Sequence, residues 1–143
     1  MKKFKSPIDF LNEAIYIDDL INYKLEQISS LNSLATKATQ TFSDMPHSPN
    51  RNNSSYENVL IKIMDLQSEI NVDVDRLVDL KAAITKAIEI LPNITARAIF
   101  TKRYLCYETW EDIAYELHFS EAYVYRMHRE YLPQIKVPVE YQK

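Results

Sequence analysis

The segment WEDIAYELHFSEAYVYRMHREYL, residues 110–132, decides the fold. Its apolar residues recur at the steps expected of two short helices that each bury one face against the other. The residues predicted to form this shared interior are Ile113, Ala114, Leu117, Phe119, Val124 and Met127. The segment therefore predicts a helix-turn-helix, with Phe119 filling the core at the turn.

The turn between these helices must form without glycine, because the chain contains none. His118 stands where a helix-turn-helix commonly has a residue in the left-handed conformation. Histidine tolerates that region better than most residues other than glycine, at a cost of about 1 kcal/mol. We expect a left-handed turn at His118 and no ligand role for its side chain.

Side chains suited to helix N-caps divide the C-terminal part into three short helices. The predicted caps are Asn93, Thr109 and Ser120, for helices over residues 94–105, 110–118 and 121–131. The last ten residues contain two prolines and predict an irregular tail.

The outward residues of the last helix are candidates for DNA contact if that helix lies in the major groove. Helical periodicity predicts that they are Ser120, Glu121, Ala122, Tyr125, Arg126 and Arg129. Arg126 is the best candidate for a base contact, since a guanidinium can bind guanine through two hydrogen bonds. Predicted phosphate contacts on the preceding helix are Arg97, Lys102 and Arg103. The alternative interpretation of both sets is an ordinary solvated helical surface.

Two long heptad-like patterns precede this part of the chain. The first predicts a helix over residues 7–41, with Ser6 as its N-cap, and the second a helix over residues 55–91, with Ser54 as its N-cap and Glu57 completing a capping box. The predicted seam of the second helix is Leu60, Ile63, Ile70, Val74, Leu77, Ile84, Ile88 and Leu91. Residues 43–55, polar and with two prolines, predict a loop, in which residues 43–50 are either a docking tip or a stiff connection.

The matched lengths of the two patterns predict an antiparallel helical hairpin. The expected fold is therefore all-α, with a long, coiled-coil-like hairpin in residues 1–92 and a three-helix helix-turn-helix domain in residues 93–143. Two helices alone enclose little core, so apolar residues beside the seams predict a dimer or partner interface, unless they pack on the chain's own C-terminal part. These residues are Tyr16, Leu20, Tyr23, Leu34, Val59, Leu66 and Leu80.

The C-terminal block resembles region 4 of bacterial sigma factors over roughly residues 91–133. The motifs that carry the resemblance are Arg103-Tyr104, Thr109-Trp110-Glu111, Ile113-Ala114 and Tyr125-Arg126-Met127-His128 with Leu132. Together with KLEQISSLNSLATKAT (24–39), SDMPHSPN (43–50) and INVDVDRLVDLK (70–81), the whole chain is similar to a family of small proteins of phages and mobile elements in Gram-positive bacteria. This resemblance implies a sigma-like regulator of phage transcription. Because no −10-reading region precedes the block, we expect a sigma-like module and not a complete sigma factor.

Composition limits the remaining possibilities. The chain lacks a long apolar run and has a single cysteine, Cys106, which is consistent with the cytoplasm of a bacterial host and predicts a buried thiol rather than a disulfide. No histidine, cysteine and carboxylate residues stand at metal-ligand spacing, and without glycine there is no phosphate-binding loop, so we expect no enzyme, metal or cofactor.

The charge of the chain bears on its expected partners. The net charge is −3, and residues 93–143 balance 7 basic against 7 acidic side chains, so one copy should bind DNA weakly. We therefore expect a transcriptional regulator that binds double-stranded DNA as a homodimer. The first alternative is an interaction protein that docks on RNA polymerase or another protein and touches DNA little. The second is a DNA-packaging subunit resembling a small terminase.

Overall fold

The computed structural model describes residues 2–44 and 49–143, with side chains for residues 2–37 and 55–143. In the order of the chain, the helices are α1 (Pro7–Asp44), α2 (Pro49–Glu89), α3 (Ile94–Tyr104), α4 (Trp110–Leu117) and α5 (Glu121–Tyr131). Short 3-10 helices follow at Leu132–Gln134 and Val139–Tyr141. The described residues form no strand beyond an isolated bridge between Phe4 and Gln142, which confirms the all-α fold class.

The start of α1 agrees with its predicted caps. The Ser6 hydroxyl accepts a hydrogen bond from the Asp9 backbone N–H at 3.3 Å, and Pro7 occupies the first helical position, where its missing N–H costs nothing. The other predicted ends are wrong. α1 continues to Asp44, and α2 already begins at Pro49.

The capping box at Ser54 is therefore wrong, because Ser54 lies inside α2 and cannot be its N-cap. Pro49 provides the reason, since proline favours the first position of a helix, and the asparagines and serines that follow cost each helical position only about 0.5 kcal/mol. The predicted loop shortens accordingly, and residues 45–48 lie outside the described residues. The side chains of residues 43–50, predicted to form either a docking tip or a stiff connection, also lie outside the described part of the chain.

The contacts divide the chain into two compact units, residues 19–76 and residues 1–18 with 77–143. The unit of residues 19–76 contains segments of α1 and α2 that pack antiparallel along one seam. The α1 positions of this seam follow steps of three and four residues and are Ile21, Lys24, Ile28, Leu31 and Ala35. On α2 the same steps give Ile63, Leu66, Ile70 and Asp73.

The seam of α2 differs from the predicted one. Leu60 and Val74, predicted to be buried, are exposed, whereas Leu66 and Leu80 are 3% and 2% exposed. The assignment of Leu80 to a dimer or partner interface is therefore wrong, because Leu80 packs inside its own chain, whereas Leu66 is buried in the seam and also lines a groove of this unit. The prediction favoured Val74 because it is apolar. The folded chain places Asp73 in the seam, where Lys24 neutralises its charge at 2.5 Å.

The unit of residues 1–18 and 77–143 has a core shared by the ends of the long helices and by α3, α4 and α5. Its largest fully buried side chains are Phe10, Phe100, Leu11, Ile84, Leu91, Ile99, Ile113 and Val124. The predicted irregular tail is partly wrong, because Ile135 and Tyr141 are buried and the ring of Tyr141 packs against those of Phe4 and Phe10. Cys106 is exposed, so the predicted buried thiol is wrong as well. It follows a helix that ends at Tyr104 and lies in the connection to α4.

Candidate nucleic-acid interface

The turn between α4 and α5 forms at His118, as predicted. His118 has φ 61° and ψ 39°, the left-handed conformation that ends a helix. The backbone N–H of Phe119 donates to the Ala114 carbonyl at 3.0 Å, and that of His118 donates to the Tyr115 carbonyl at 3.3 Å. These bonds satisfy the last carbonyls of α4, so the turn closes without glycine.

The caps of the short helices are also confirmed. The side chains of Asn93, Thr109 and Ser120 accept hydrogen bonds from backbone N–H groups in the first turns of α3, α4 and α5. Ser120 accepts from Tyr123 at 3.1 Å, so its hydroxyl already serves the helix. In the proposed DNA set, Ser120 therefore has a structural role in addition to any contact with a phosphate.

The shared interior of α4 and α5 is largely as predicted. Ile113, Ala114, Val124 and Met127 are buried, and Leu117 is half-buried. Phe119 is 39% exposed, so its predicted position in the core is wrong. The left-handed residue before it turns the chain outward, and the ring of Phe119 packs on that of Tyr123, with centroids 4.6 Å apart.

The ring pair of Phe119 and Tyr123 lies beside Arg126, the residue predicted to contact a base. The guanidinium carbon of Arg126 lies 5.1 Å from the centroid of the Tyr123 ring, so Phe119, Tyr123 and Arg126 form a continuous row of contacts on the surface. A guanidinium held against an aromatic ring loses less conformational freedom when it binds a base edge. The contact with Tyr123 therefore prepositions Arg126.

The remaining outward residues of α5 are brought together on one surface. Glu121, Ala122, Tyr125 and Arg129 are exposed, as is Arg126. Neither Arg126 nor Arg129 forms a salt bridge with another described residue, so their charges stay available to a ligand. The ring of Tyr125 packs against that of Trp110, with centroids 5.2 Å apart, so this surface contacts α4.

The cations of α3 are placed differently from those of α5. Lys102 lies 2.6 Å from a Glu116 carboxylate oxygen, and this hydrogen bond raises the pKa of Lys102 and lowers that of Glu116. Arg103 donates to the Glu108 carbonyl at 2.9 Å and lies over the Trp110 ring. Both cations are engaged within the chain, whereas Arg97 is half-buried and forms no salt bridge with a described residue. Of the three, Arg97 is the least committed candidate for a phosphate contact.

An aromatic cluster that the sequence analysis missed joins α3, α4 and α5. The Tyr104 hydroxyl lies 2.5 Å from Nε2 of His128, whose ring stacks on Phe100 and meets the edge of Trp110. Burial, assisted by the charge of Arg103, lowers the pKa of His128 to about 4, and burial raises the pKa of Tyr104 to about 12. Both side chains are therefore neutral near pH 7. The four-residue step from Phe100 to Tyr104 was the available signal, because it places both rings on one face of α3.

The exposed surface of α4 has a different character. Glu111, Asp112 and Glu116 are exposed there, together with Tyr115, which is 83% exposed. Acids repel phosphate, so this surface contributes nothing favourable to DNA binding. Of the exposed surfaces of α4 and α5, that of α5 carries the cations Arg126 and Arg129, which form no salt bridge with a described residue.

The described residues contain no group of three or more His, Cys, Asp or Glu side chains that could hold a metal ion. None of the helices they form combines the length and the apolar character needed to cross a membrane. Comparison with known protein families, with curated proteins and with solved structures found no match to this chain.

Proposed function

We propose that this chain is a DNA-binding transcriptional regulator of phage or mobile-element genes, which binds as a dimer and reads the major groove with α5. The observation that carries the proposal is the position of Arg126, held against the Tyr123 ring and in no salt bridge with a described residue, on the exposed face of a helix whose opposite face, at Val124 and Met127, is buried. A helix held in this way can lay its outer residues along base edges while the inner residues keep it attached to its domain.

The roles of the α5 residues follow from their chemistry. Arg126 donates two hydrogen bonds to a guanine edge, and Glu121 accepts from a cytosine amino group. Arg129 and the Tyr125 hydroxyl contact phosphates, and Arg97 on α3 adds a further cation. Because residues 93–143 carry no net charge, the affinity of one copy is weak and a second copy raises it through effective concentration.

Salt dependence of DNA binding tests this proposal. Fluorescence anisotropy of a labelled duplex, titrated with protein at several salt concentrations, should give a log–log slope of about −2 to −4, as expected for a few phosphate contacts per copy. A slope near zero, or no binding at low salt, would contradict it. The Lys86→Ala variant is a matched control, because it removes an exposed cation from α2, outside the proposed interface.

The exposed surface of α4 favours a second candidate function. Glu111, Asp112 and the prominent Tyr115 suit a basic protein surface better than they suit DNA. The chain would then dock on RNA polymerase or another protein and touch DNA little. Replacing Tyr115 with alanine separates the two functions, because it should weaken protein docking and leave the affinity for duplex DNA unchanged.

A further inference from the structure

The unit of residues 19–76 has an open apolar groove of about 710 Å³ along one side. Its lining includes Leu20, Tyr23, Gln27 and Leu31 of α1 with Lys62 and Leu66 of α2. Tyr23 is 60% exposed, and Leu20 is exposed beside it. Leaving such side chains in water forgoes the roughly 25 cal/mol that each Å² of apolar surface gains on burial.

We propose that the same groove of a second copy of this chain covers this groove, with the two hairpins running in opposite directions. The inference rests on the dimer in the proposed function, and it names the face and the direction of pairing. Leu20, Tyr23 and the buried Leu66 of the sequence-based interface line this groove, whereas Leu80 does not.

The spacing along α1 indicates that a helix covers the groove. Leu20, Tyr23 and Leu34, with the polar Gln27 and Ser30 between them, follow alternating steps of three and four residues, so the three apolar side chains share one stripe with the spacing of a coiled-coil seam. Such a seam packs against another long helix. The helices α3, α4 and α5 have at most 11 residues each, which is shorter than the stretch from Leu20 to Leu34.

The charges of the groove favour reversed pairing with a second copy. Lys24 of α1 contacts Asp73 of α2, which fixes the antiparallel register of the two helices. Toward the C-terminal end of α1, Glu26 lies two residues beyond Lys24. In the same direction Lys62 lies eleven residues beyond Asp73, because α2 runs antiparallel to α1. Glu26 and Lys62 are therefore nine residues apart along the groove (11 − 2 = 9), which is about 13 Å at about 1.5 Å per residue.

Glu26 and Lys62 both line the groove and carry opposite charges, which makes this stretch of the groove complementary to itself when it is reversed. A two-fold axis midway between them, level with Ser30 and Leu31, brings each Glu26 level with Lys62 of the other copy, in two equivalent contacts. Pairing in the same direction would instead align Glu26 with Glu26 and Lys62 with Lys62. Like charges placed opposite each other are unfavourable, so the reversed arrangement is preferred.

Sedimentation velocity of the full chain without DNA tests the proposal. The wild type should form a dimer. Glu26→Lys and Lys62→Glu, each studied alone, replace two attractive contacts with two repulsive ones and should raise the dimer dissociation constant roughly tenfold. In an equimolar mixture of the two variants, both contacts of the mixed dimer again join an acid to a base, so the mixture should recover wild-type association. Rescue by mixing cannot arise from contacts inside one chain.

A second pair of variants guards against loss of folding. Tyr23→Glu should prevent dimerisation, whereas Val72→Glu, at a residue of α2 that is equally exposed and does not line the groove, should not. Circular dichroism checks that helix content is retained. If Glu26→Lys or Lys62→Glu loses helix content, the comparison of Tyr23→Glu with Val72→Glu decides whether the groove mediates dimerisation.

Several results would overturn the proposal: a monomeric wild type, an oligomer indifferent to Tyr23→Glu, or folded charge variants that are not restored by mixing. These results concern association without DNA, so they are distinct from a failure of the proposed function, which would appear as lost or salt-independent DNA binding.

Discussion

The Tyr104 hydroxyl lies 2.5 Å from Nε2 of His128, so one hydrogen bond joins α3 to the helix proposed to read DNA. A neutral imidazole with its proton on Nδ1 accepts this bond. The His128 ring also stacks on Phe100, with centroids 5.0 Å apart, and a protonated imidazole would have to donate to the Tyr104 hydroxyl instead and would place its charge in a buried position near Arg103. The folded chain therefore favours the neutral form of His128.

The first prediction concerns stability against pH. Because the pKa of His128 falls from 6.5 to about 4 on folding, the unfolded chain binds a proton between these values and the folded chain does not. The stabilisation is fully present above pH 6.5 and is lost as the pH falls toward 4. With allowance for partial exposure, urea denaturation at pH 7.0 and pH 4.5 should differ by about 1–2 kcal/mol on account of this residue.

His128→Phe isolates the contribution of the titrating group. It keeps a ring against Phe100 and leaves the Tyr104 hydroxyl without its partner, so it should cost about 1–2 kcal/mol at pH 7 and flatten the pH dependence. Tyr104→Phe removes only the hydroxyl and is the matched control, expected to keep a titrating histidine. A pH profile for His128→Phe that matches the wild type would contradict the assignment.

The second prediction concerns the turn at His118, where φ is 61°. Glycine reaches this conformation without the clash of a side chain, whereas valine reaches it at high cost. His118→Gly should leave stability unchanged or raise it by up to about 1 kcal/mol, and His118→Val should lower it by about 1–3 kcal/mol. Denaturant midpoints check both. Equal stabilities of the glycine and valine variants would count against a left-handed turn.

The third prediction concerns the Lys24 and Asp73 pair in the hairpin seam, where the hydrogen bond to Asp73 raises the pKa of Lys24. Asp73→Asn leaves a lysine without its full counter-charge and should cost about 1–2 kcal/mol. The double variant Lys24→Met with Asp73→Leu removes both charges and should recover most of that loss. Thermal unfolding of the two variants measures the difference. A double variant less stable than Asp73→Asn would show that the ion pair is a net source of stability.

Much of the fold follows from local rules that the sequence displays. Ser6, Asn93, Thr109 and Ser120 cap helices because a short polar side chain can reach the free N–H groups of the first turn, and that geometry needs no distant partner. The left-handed turn at His118 was also predictable, because it too depends on the local backbone and needs no distant partner. The inward face of α5 also followed from spacing, because Val124 and Met127 stand three positions apart and so lie on the same face of a helix.

The errors arise where the apolar spacing of one helix does not decide which side chain is buried. Asp73 lies in the seam because Lys24 on the other helix neutralises it, whereas the spacing of α2 alone favours the neighbouring Val74. That partner is not visible in the pattern of α2, since it depends on where α1 packs. Phe119 is outside the core because the left-handed residue before it turns the chain outward, and its ring then packs on Tyr123.

The outward face of α5 is the central claim, and one measurement tests it most directly. Duplexes selected by the wild type from a random pool should share a motif, and anisotropy titrations should compare that motif with a scrambled duplex for the wild type, Arg126→Ala and Lys86→Ala. We predict that Arg126→Ala lowers this preference roughly tenfold, since one bidentate contact to guanine contributes about 1–3 kcal/mol, and that Lys86→Ala keeps it. Selection of no motif, or an undiminished preference in folded Arg126→Ala, would contradict the account.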